Sequence, residues 1–255
     1  MKMYENRFKR GLAEGRPQIG LWSSLANAVS IEVLADAGFD WILVDTEHAP
    51  SDLPQVHAQL QALACGTASP IVRPAWNDAV MIKRLLDIGA QSLLIPFVES
   101  AEEARRAVAA TRYPPAGLRG VSVATRANGF GRIRDYFARA DAEICVLVQV
   151  ETARALAAIP EIAAVPGVDG IFIGPSDLAA DLGHLGQSDH PQVGDAISAG
   201  ISAIRAAGKA AGILAPQEDN ARRWLSEGCG FVAVGSDLGL LARGSEALAA
   251  RFRPD

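Results

Sequence analysis

Short apolar runs recur along the chain and alternate with longer amphipathic stretches. The runs are rich in Ile, Val and Leu without polar alternation, which is typical of parallel strands buried on both faces. They lie at residues 18–22, 40–45, 70–73, 92–96, 143–150, 169–174, 210–214 and 231–235. Helical patterns lie between them, including residues 28–37, 78–88, 100–110 and 153–159. Eight strands separated by helices predict an α/β fold, a single closed (β/α)8 or TIM barrel, rather than an open doubly wound sheet.

The length of the chain and its repeated phrases favour one domain. The phrases AGFDWILVD, IGAQSLLIP, PGVDGIFIG and EGCGFVAVG each place Gly before a strand, where a helix C-cap and a tight turn need it. Barrels of roughly 250 residues form one domain, so we expect a single barrel domain over residues 1–255. Residues 111–140 interrupt the alternation of strand-like and helical segments with PP, several arginines and NGFG. This composition predicts a long active-site loop with a short helix.

Charge and composition exclude several classes of partner. The net charge of −5 argues against nucleic acid, which attracts basic patches. No apolar run approaches the roughly 20 residues of a membrane span, and the N-terminus lacks the apolar core of a signal peptide, so we expect a cytoplasmic protein. The three cysteines are widely spaced and form no CxxC pair, which predicts neither a disulfide framework nor a zinc ribbon.

Two acids follow neighbouring predicted strands, at the end of a barrel where active sites lie. Glu151 follows the fifth strand and Asp177 follows the sixth, so their carboxylates can converge on one cation. Oxygen ligands with open water positions suit Mg2+, Mn2+ or Co2+, among which the sequence does not choose. The alternative is that each acid caps the following helix, a role that Asp177 before LAADL fits.

A histidine and an arginine end two other strands at the same rim. His48 follows the second strand, and a histidine there suits proton transfer near neutral pH. Asp87, on the helix after the third strand, is the candidate for its orienting carboxylate. Arg73 ends the third strand and can bind a carboxylate or stabilise a developing enolate oxygen. The alternatives are an ordinary histidine and a structural ion pair at the barrel mouth.

The lysines argue against an imine mechanism. An enzyme that forms an imine with a carbonyl substrate needs a lysine on a strand, with its side chain pointing into the barrel. Of the lysines, Lys209 precedes the seventh strand at the wrong end, Lys83 lies in a helix, and the others are Lys2 and Lys9. A metal is therefore expected to serve as the electron sink.

Two weaker motifs concern other ligands. GFGR at residues 129–132 lacks the third glycine of a dinucleotide fingerprint and follows no strand, so nicotinamide binding is disfavoured. Gly235, Ser236 and Asp237 follow the last strand, where barrels often hold a phosphate, which leaves a phosphorylated ligand open.

Several blocks of sequence resemble a known family. GLWSSLANAVSIEVLADAGFDWILVDTEHAP, SPIVRPAWND, QVET and GIFIGPSDLA resemble, in order from about residue 20 to residue 235, the HpcH/HpaI class II pyruvate aldolases. The resemblance implies a carbon–carbon lyase that uses a divalent metal. Such enzymes cleave 4-hydroxy-2-oxo acids to pyruvate, or a close 2-oxo acid, and an aldehyde, and they also catalyse the reverse condensation. Both directions pass through a metal-stabilised enolate.

The same resemblance assigns roles to residues. It implies Glu151 and Asp177 as metal ligands, His48 and Asp87 as a catalytic dyad, and Arg73 as a contact of the pyruvate oxygen. It implies substrate-binding roles for Gln149 near the metal-bound substrate, for the backbone of Gly174, Pro175, Ser176 and Asp177 around the carboxylate, and for Trp22, Asp45 and Leu214 around the aldehyde. The resemblance also implies a homohexamer with exchanged C-terminal helices, and residues 240–252 are the candidate for such a helix.

Two other functions stay open at this point. One is a CoA-thioester lyase of the same superfamily, although the chain has no obvious basic extension for the nucleotide. The other is a non-catalytic barrel that binds a metal or a 2-oxo acid, against which the acid pair, His48 and Arg73 argue together. The sequence does not identify the aldehyde partner.

Overall fold

The computed structural model describes residues 3–253 and contains a closed barrel of eight parallel strands. The strands are β1 (Gln18–Ser23), β2 (Trp41–Asp45), β3 (Ser69–Arg73), β4 (Ser92–Ile95), β5 (Cys145–Val150), β6 (Gly170–Ile173), β7 (Ala210–Leu214) and β8 (Phe231–Ser236). Each strand pairs with the next, and β8 closes onto β1. The predicted (β/α)8 barrel is confirmed, with every strand end within two residues of its expected position. The predicted single domain, 1–255, extends past the described residues at both ends.

Helices connect the strands and cover the outside of the barrel. They are α1 (Arg7–Ala13), α2 (Ala28–Leu34), α3 (Leu53–Leu63), α4 (Ala79–Asp87), α5 (Ala101–Thr111), α6 (Tyr136–Glu143), α7 (Ala153–Ala157), α8 (Ile159–Ala163), α9 (Pro175–Asp181), α10 (Pro191–Ala206), α11 (Glu218–Ser226) and α12 (Asp237–Ala250). Asp78 and Ser100 cap the starts of α4 and α5 with side-chain oxygens. Two short helices replace the one predicted over residues 153–159, because Pro160 lacks the N–H that a continuous helix would need. No helix among residues 3–253 combines the length and apolar character of a membrane span.

The apolar core has two layers, one inside the barrel and one between strands and helices. Inside are large side chains from alternate strand positions, including Trp41, Leu43, Leu147, Phe172 and Phe231. Ile, Val, Leu and Ala from the opposite strand faces pack against the helices. The alternation follows from the period of two along a strand.

Apolar packing seals the N-terminal end of the barrel. Phe8 of α1 is fully buried and meets Trp41 and Phe231 edge to face, with ring centroids 6.0 and 5.7 Å apart. Room for the Trp41 ring comes from its ladder neighbour Gly20, where a Cβ would collide with the indole. Buried Asn6 fixes the entry to α1 by donating to Ser92 Oγ at 2.9 Å. Apolar side chains therefore close this end of the barrel interior.

The segment between α5 and α6 lies at the sealed end. Helix α5 runs from the C-terminal rim back to the N-terminal end, and the following residues stay there. Arg126 donates to the carbonyls of Leu60 and Ile88, at the ends of α3 and α4, at 3.2 and 3.0 Å. The short helix predicted within residues 111–140 corresponds to α6, which begins at Tyr136. The expectation that this segment borders the active site is wrong within one copy of the chain, because Arg126 is anchored to the ends of α3 and α4 at the sealed end of the barrel.

Candidate active site

Strand periodicity turns the polar rim residues toward the barrel axis. In β2, Asp45 continues the inward series of Trp41 and Leu43, and in β5 Gln149 continues that of Leu147. Asp45 is also the direct ladder neighbour of Arg73. Parallel strands end at the same edge, so these side chains form the top layer of the barrel interior.

Arg73 is held in one orientation by three neighbours. Its Nε and Nη2 donate to the two carboxylate oxygens of Asp45 at 2.8 and 2.7 Å, a bidentate pair. Its Nη1 lies 2.7 Å from Glu47 Oε2, an ion pair without the direction of a hydrogen bond. The guanidinium carbon sits 4.7 Å from the centroid of the Trp22 ring. Because the side chain is almost fully buried, these contacts present a preoriented cation at the barrel mouth.

The carboxylates beside Arg73 respond differently to burial. Burial acts to raise the pKa of Asp45, but the hydrogen bonds and charge of Arg73 outweigh it and hold the pKa below its ordinary value. Burial raises the pKa of Glu47, and the charges of Asp45 and Asp177 add to that effect against Arg73 and His48. Asp45 is therefore the firmly ionised partner, whereas Glu47 lies in an excess of negative charge.

Glu151 is fixed through both carboxylate oxygens. Its Oε1 accepts the backbone N–H of Phe97 at 3.0 Å, and its Oε2 accepts a hydrogen bond from Gln149. The side chain packs so close to Gly174 that a Cβ there would collide with Oε2. Glycine at position 174 is therefore required for Glu151 to occupy this place.

Burial raises the pKa of Glu151 to about 7. The charges of Asp177 and Glu47 contribute to that raised pKa, while the hydrogen bonds from Gln149 and Phe97 act in the opposite direction. Asp177 lies in the first turn of α9 and makes no capping hydrogen bond, so the capping role considered for it finds no support. A cation would relieve the concentrated negative charge, and carboxylate oxygens are its preferred ligands.

The fit to a divalent cation rests on two protein ligands. The described residues contain no group of three or more His, Cys, Asp or Glu side chains placed around a metal ion. Sites for Mg2+ commonly use one or two carboxylates and fill the other positions with water and substrate oxygens. The donor chemistry of Glu151 and Asp177 therefore fits such a cation.

No described lysine reaches the rim. Lys9 and Lys209 donate to backbone carbonyls of Ile144 and Val168, before β5 and β6, at the sealed end. Lys83 lies within α4, and Lys2 is outside the described residues. The expectation of a mechanism without an imine stays a prediction.

His48 and Asp87 do not meet within one copy of the chain. His48 lies at the C-terminal rim with its side chain 67% exposed, and its Nε2 is 4.0 Å from Glu47 Oε1. Asp87 ends α4 at the other end of the barrel, where it accepts a hydrogen bond from Arg119 at 3.2 Å. The strands between the two ends are about 15 Å long. The predicted orienting contact is therefore absent inside a single barrel.

The predicted substrate-binding residues fall into two groups. Trp22 and Asp45 are buried and both contact Arg73, and Trp22 Nε1 also donates to Asp45 at 3.3 Å. Gln149 keeps a buried Oε1 without a partner among the described residues, and Leu214 is half-buried at the end of β7. In the turn into α9, Gly174 donates to β5 and Pro175 has no N–H, which leaves Ser176 and Asp177 as backbone donors.

The position after β8 is occupied by an internal carboxylate. Buried Asp237 accepts hydrogen bonds from Ser23 Oγ and from the backbone N–H groups of Ser24, Leu25 and Leu238, at 2.7 to 3.2 Å. These are donors of the kind that bind phosphate in other barrels. The chain's own carboxylate already uses these donors, so they are not free to bind a phosphate.

Two contributors to the site were missing from the sequence prediction. Glu47 stands in the EHAP block, and that block alone does not show that its carboxylate pairs with Arg73. The Phe97 N–H is a backbone group, and its direction depends on a local conformation that no residue pattern marked.

The fold and the site define a (β/α)8-barrel enzyme that combines a carboxylate pair with a fixed arginine at the C-terminal ends of its strands. Residues 18–244 match the sequence profile described as HpcH/HpaI aldolase/citrate lyase. The chain belongs to the HpcH/HpaI aldolase/citrate lyase family.

Relatives and solved structures agree with this membership. A protein of Klebsiella pneumoniae named 4-hydroxy-2-oxo-heptane-1,7-dioate aldolase is 58% identical over 97% of this chain and 94% of its own. A protein of the same name from Salmonella dublin is 58% identical over 97% of this chain and 95% of its own. The crystal structure of an HpcH/HpaI aldolase/citrate lyase family protein from Burkholderia cenocepacia has a TM-score of 0.94 and 41% identity, covering 98% of this chain and 100% of that one.

Proposed function

We propose that the protein is a divalent-metal-dependent aldolase that cleaves 4-hydroxy-2-oxo acids to pyruvate, or a close 2-oxo acid, and an aldehyde, and that catalyses the reverse condensation. The observation that carries the proposal is the buried Glu151, fixed through both oxygens beside Asp177, at the rim that also holds Arg73. The names of the relatives support the same reaction class, a carbon–carbon lyase.

Glu151 and Asp177 would hold the cation. When bound, a divalent cation supplies Lewis-acid polarisation of the 2-oxo group, which makes the C3 position acidic. The N–H groups of Ser176 and Asp177, at the start of α9, are the backbone donors available to the substrate carboxylate. The unpartnered Oε1 of Gln149 offers an acceptor to a water or hydroxyl beside Glu151.

Arg73 stabilises the charge that develops on the 2-oxo oxygen during cleavage. Its contacts with Asp45 and Glu47 are already made, so no reorganisation is needed as the C3–C4 bond breaks. His48 accepts the proton of the 4-hydroxyl as the C3–C4 bond breaks, the aldehyde leaves, and the protonated His48 then donates that proton to C3 of the 2-oxo acid. In the condensation His48 removes the C3 proton instead. Exposure of His48 at the mouth allows proton exchange with water.

Asp87 serves His48 only if it comes from a second copy of the chain. Within one copy the two residues lie at opposite ends of the barrel. We therefore place the predicted dyad at an interface between copies in a homo-oligomer, with the hexamer as the expected assembly. Helix α12 spans most of the segment expected to be exchanged and carries exposed Leu240, Leu241 and Leu248, which a second copy would cover. We propose a cytoplasmic location for this assembly.

The test follows pyruvate release from racemic 4-hydroxy-2-oxo acids. The panel starts with 4-hydroxy-2-oxo-heptane-1,7-dioate, the compound in the relatives' names, and adds acids that release tartronate semialdehyde or lactaldehyde. We expect release only with Mg2+, Mn2+ or Co2+ present and none after thorough chelation. Metal-independent release overturns the mechanism, and no release from the whole panel favours the thioester lyase or the binding role.

Paired variants assign the metal ligand. Glu151→Ala is expected to abolish metal-dependent release, whereas Glu102→Ala, which removes an exposed acid on α5, keeps parental activity. A fully active Glu151→Ala protein contradicts the ligand assignment.

A further inference from the structure

The turn after β4 aims two successive N–H groups at the same neighbouring strand. Phe97 donates to Glu151 Oε1 at 3.0 Å, and Val98 donates to the Gln149 carbonyl at 2.9 Å. In an extended strand successive N–H groups point in opposite directions. Here both N–H groups point the same way because Phe97 has φ of +54°, in the left-handed region.

That conformation is unfavourable for a residue with a side chain. A bulky residue with positive φ is uncommon, because its Cβ approaches the backbone too closely. Strained residues of this kind persist only where their surroundings hold them in place. On one side of Phe97, Val98 is fully buried and anchors the turn in the core. On the other side, the Phe97 side chain is partly exposed and needs a second contact to hold it.

An aromatic stack at the rim supplies that anchor. The ring of Trp76, in the loop after β3, lies over the Phe97 ring with centroids 5.8 Å apart and an interplanar angle of 26°. The Trp76 loop is itself fixed, because Asp78 N donates to the Trp76 carbonyl at 2.9 Å and Asn77 donates to Glu103 of α5 at 3.1 Å. Stacked rings stabilise one another beyond the area they bury.

We propose that Trp76 is a positioning residue for Glu151: by stacking on Phe97 it holds the left-handed turn that directs the Phe97 N–H to the Glu151 carboxylate. The inference rests on the proposed function, in which Glu151 is a metal ligand. Gln149 fixes one oxygen of Glu151, and the Trp76–Phe97 stack fixes the other through the backbone. Trp76 thereby influences cation affinity through the backbone of Phe97.

The experiment measures Mn2+ binding to the metal-free protein from the electron paramagnetic resonance signal of free Mn2+. Trp76→Ala is expected to weaken Mn2+ binding about tenfold, as loss of an outer support of a metal ligand does. Trp76→Phe keeps a stacking ring and is expected to stay within about twofold of the parent. Tyr4→Ala removes an exposed aromatic side chain near the sealed end and serves as the matched control with parental affinity.

Substitutions at Phe97 separate backbone conformation from packing. Glycine adopts positive φ freely and keeps the N–H, so Phe97→Gly is expected to bind Mn2+ more tightly than Phe97→Ala. If the Phe97 side chain contributed through packing alone, Phe97→Gly would bind Mn2+ more weakly than Phe97→Ala. Adding Trp76→Ala to Phe97→Gly is expected to cause no further loss, because glycine needs no stack to hold the turn. Circular dichroism confirms that each variant is folded at the temperature of the binding measurement.

Three results overturn the inference alone. They are parental Mn2+ affinity in Trp76→Ala, weaker binding in Phe97→Gly than in Phe97→Ala, and an equal effect of Trp76→Ala in the parent and in the Phe97→Gly background. A parent protein that binds no Mn2+ overturns the metal site of the proposed function together with this inference.

Discussion

Replacement of Glu151 by Gln removes the buried acid whose ionisation opposes folding in the metal-free protein. Burial raises the pKa of Glu151 to about 7, and the charges of Asp177 and Glu47 support that rise. In the unfolded chain the group has an ordinary pKa of about 4.5. The fold therefore favours the protonated acid, and its stabilising contribution is complete below pH 4.5. That contribution is lost as the pH rises through about 7.

The size of the effect follows from the two pKa values. A carboxyl group with a pKa of about 7 in place of 4.5 loses about 3 kcal/mol of folding free energy once it is ionised in both states. Glu151 is only 2% exposed, so solvent screening does not reduce this figure much. Gln at this position cannot ionise and still accepts the Phe97 N–H. The variant therefore lacks this part of the pH dependence.

Urea unfolding of metal-free parent and Glu151→Gln protein provides the assay, at one protein concentration because assembly adds to stability. Between about pH 4 and about pH 8.5, the parent is expected to lose about 3 kcal/mol relative to the variant. Mn2+ is expected to reverse the loss, and its binding near pH 6 releases close to one proton in the parent. Parallel stability curves for the two proteins would refute the reasoning, because they would show that Glu151 ionises as easily in the fold as in the unfolded chain.

Three further substitutions test other parts of the structure. His48→Ala is expected to keep Mn2+ and pyruvate binding but to lower the rate of pyruvate release by about 10²–10⁴-fold, and an unchanged rate removes His48 from the mechanism. Asp45→Asn leaves Arg73 with one charged partner fewer, so we expect about 2–3 kcal/mol less stability in urea unfolding and a larger fall in kcat than rise in KM. Parental kcat would show that Asp45 does not orient Arg73. Phe8→Ala opens a cavity at the sealed end and is expected to lower the free energy of unfolding by about 3–5 kcal/mol with parental kcat. A loss under about 1 kcal/mol would contradict the role of Phe8 in closing this end of the barrel.

Local patterns in the sequence were sufficient for the barrel. Runs of Ile, Val and Leu record burial on both faces, and the glycines before strands mark where helices end, so strand positions emerged within two residues. The shared edge of parallel strands also placed Asp45, Arg73 and Glu151 at one rim, because strand ends converge in any such barrel.

Prediction from the sequence failed where a contact depends on which end of the barrel a helix or loop reaches. Asp87 was expected beside His48, but a helix that returns to the start of the next strand carries its C-terminal residues to the opposite end. The segment after α5 was assigned to the active site, although Arg126 ties it to the ends of α3 and α4. A loop's composition shows that it is irregular, and it does not show which end of the barrel it covers.

By itself, the sequence determined the closed eight-stranded barrel, the rim at which its polar strand-end residues gather and the family to which it is similar. Only the tertiary structure decided that Asp45 and Glu47 share Arg73, that Phe97 turns its N–H to Glu151, and that Asp237 accepts the backbone N–H of Ser24. The reason is physical. Periodicity records how deeply each residue is buried, whereas hydrogen bonds between distant side chains depend on packing that brings together residues far apart in the chain.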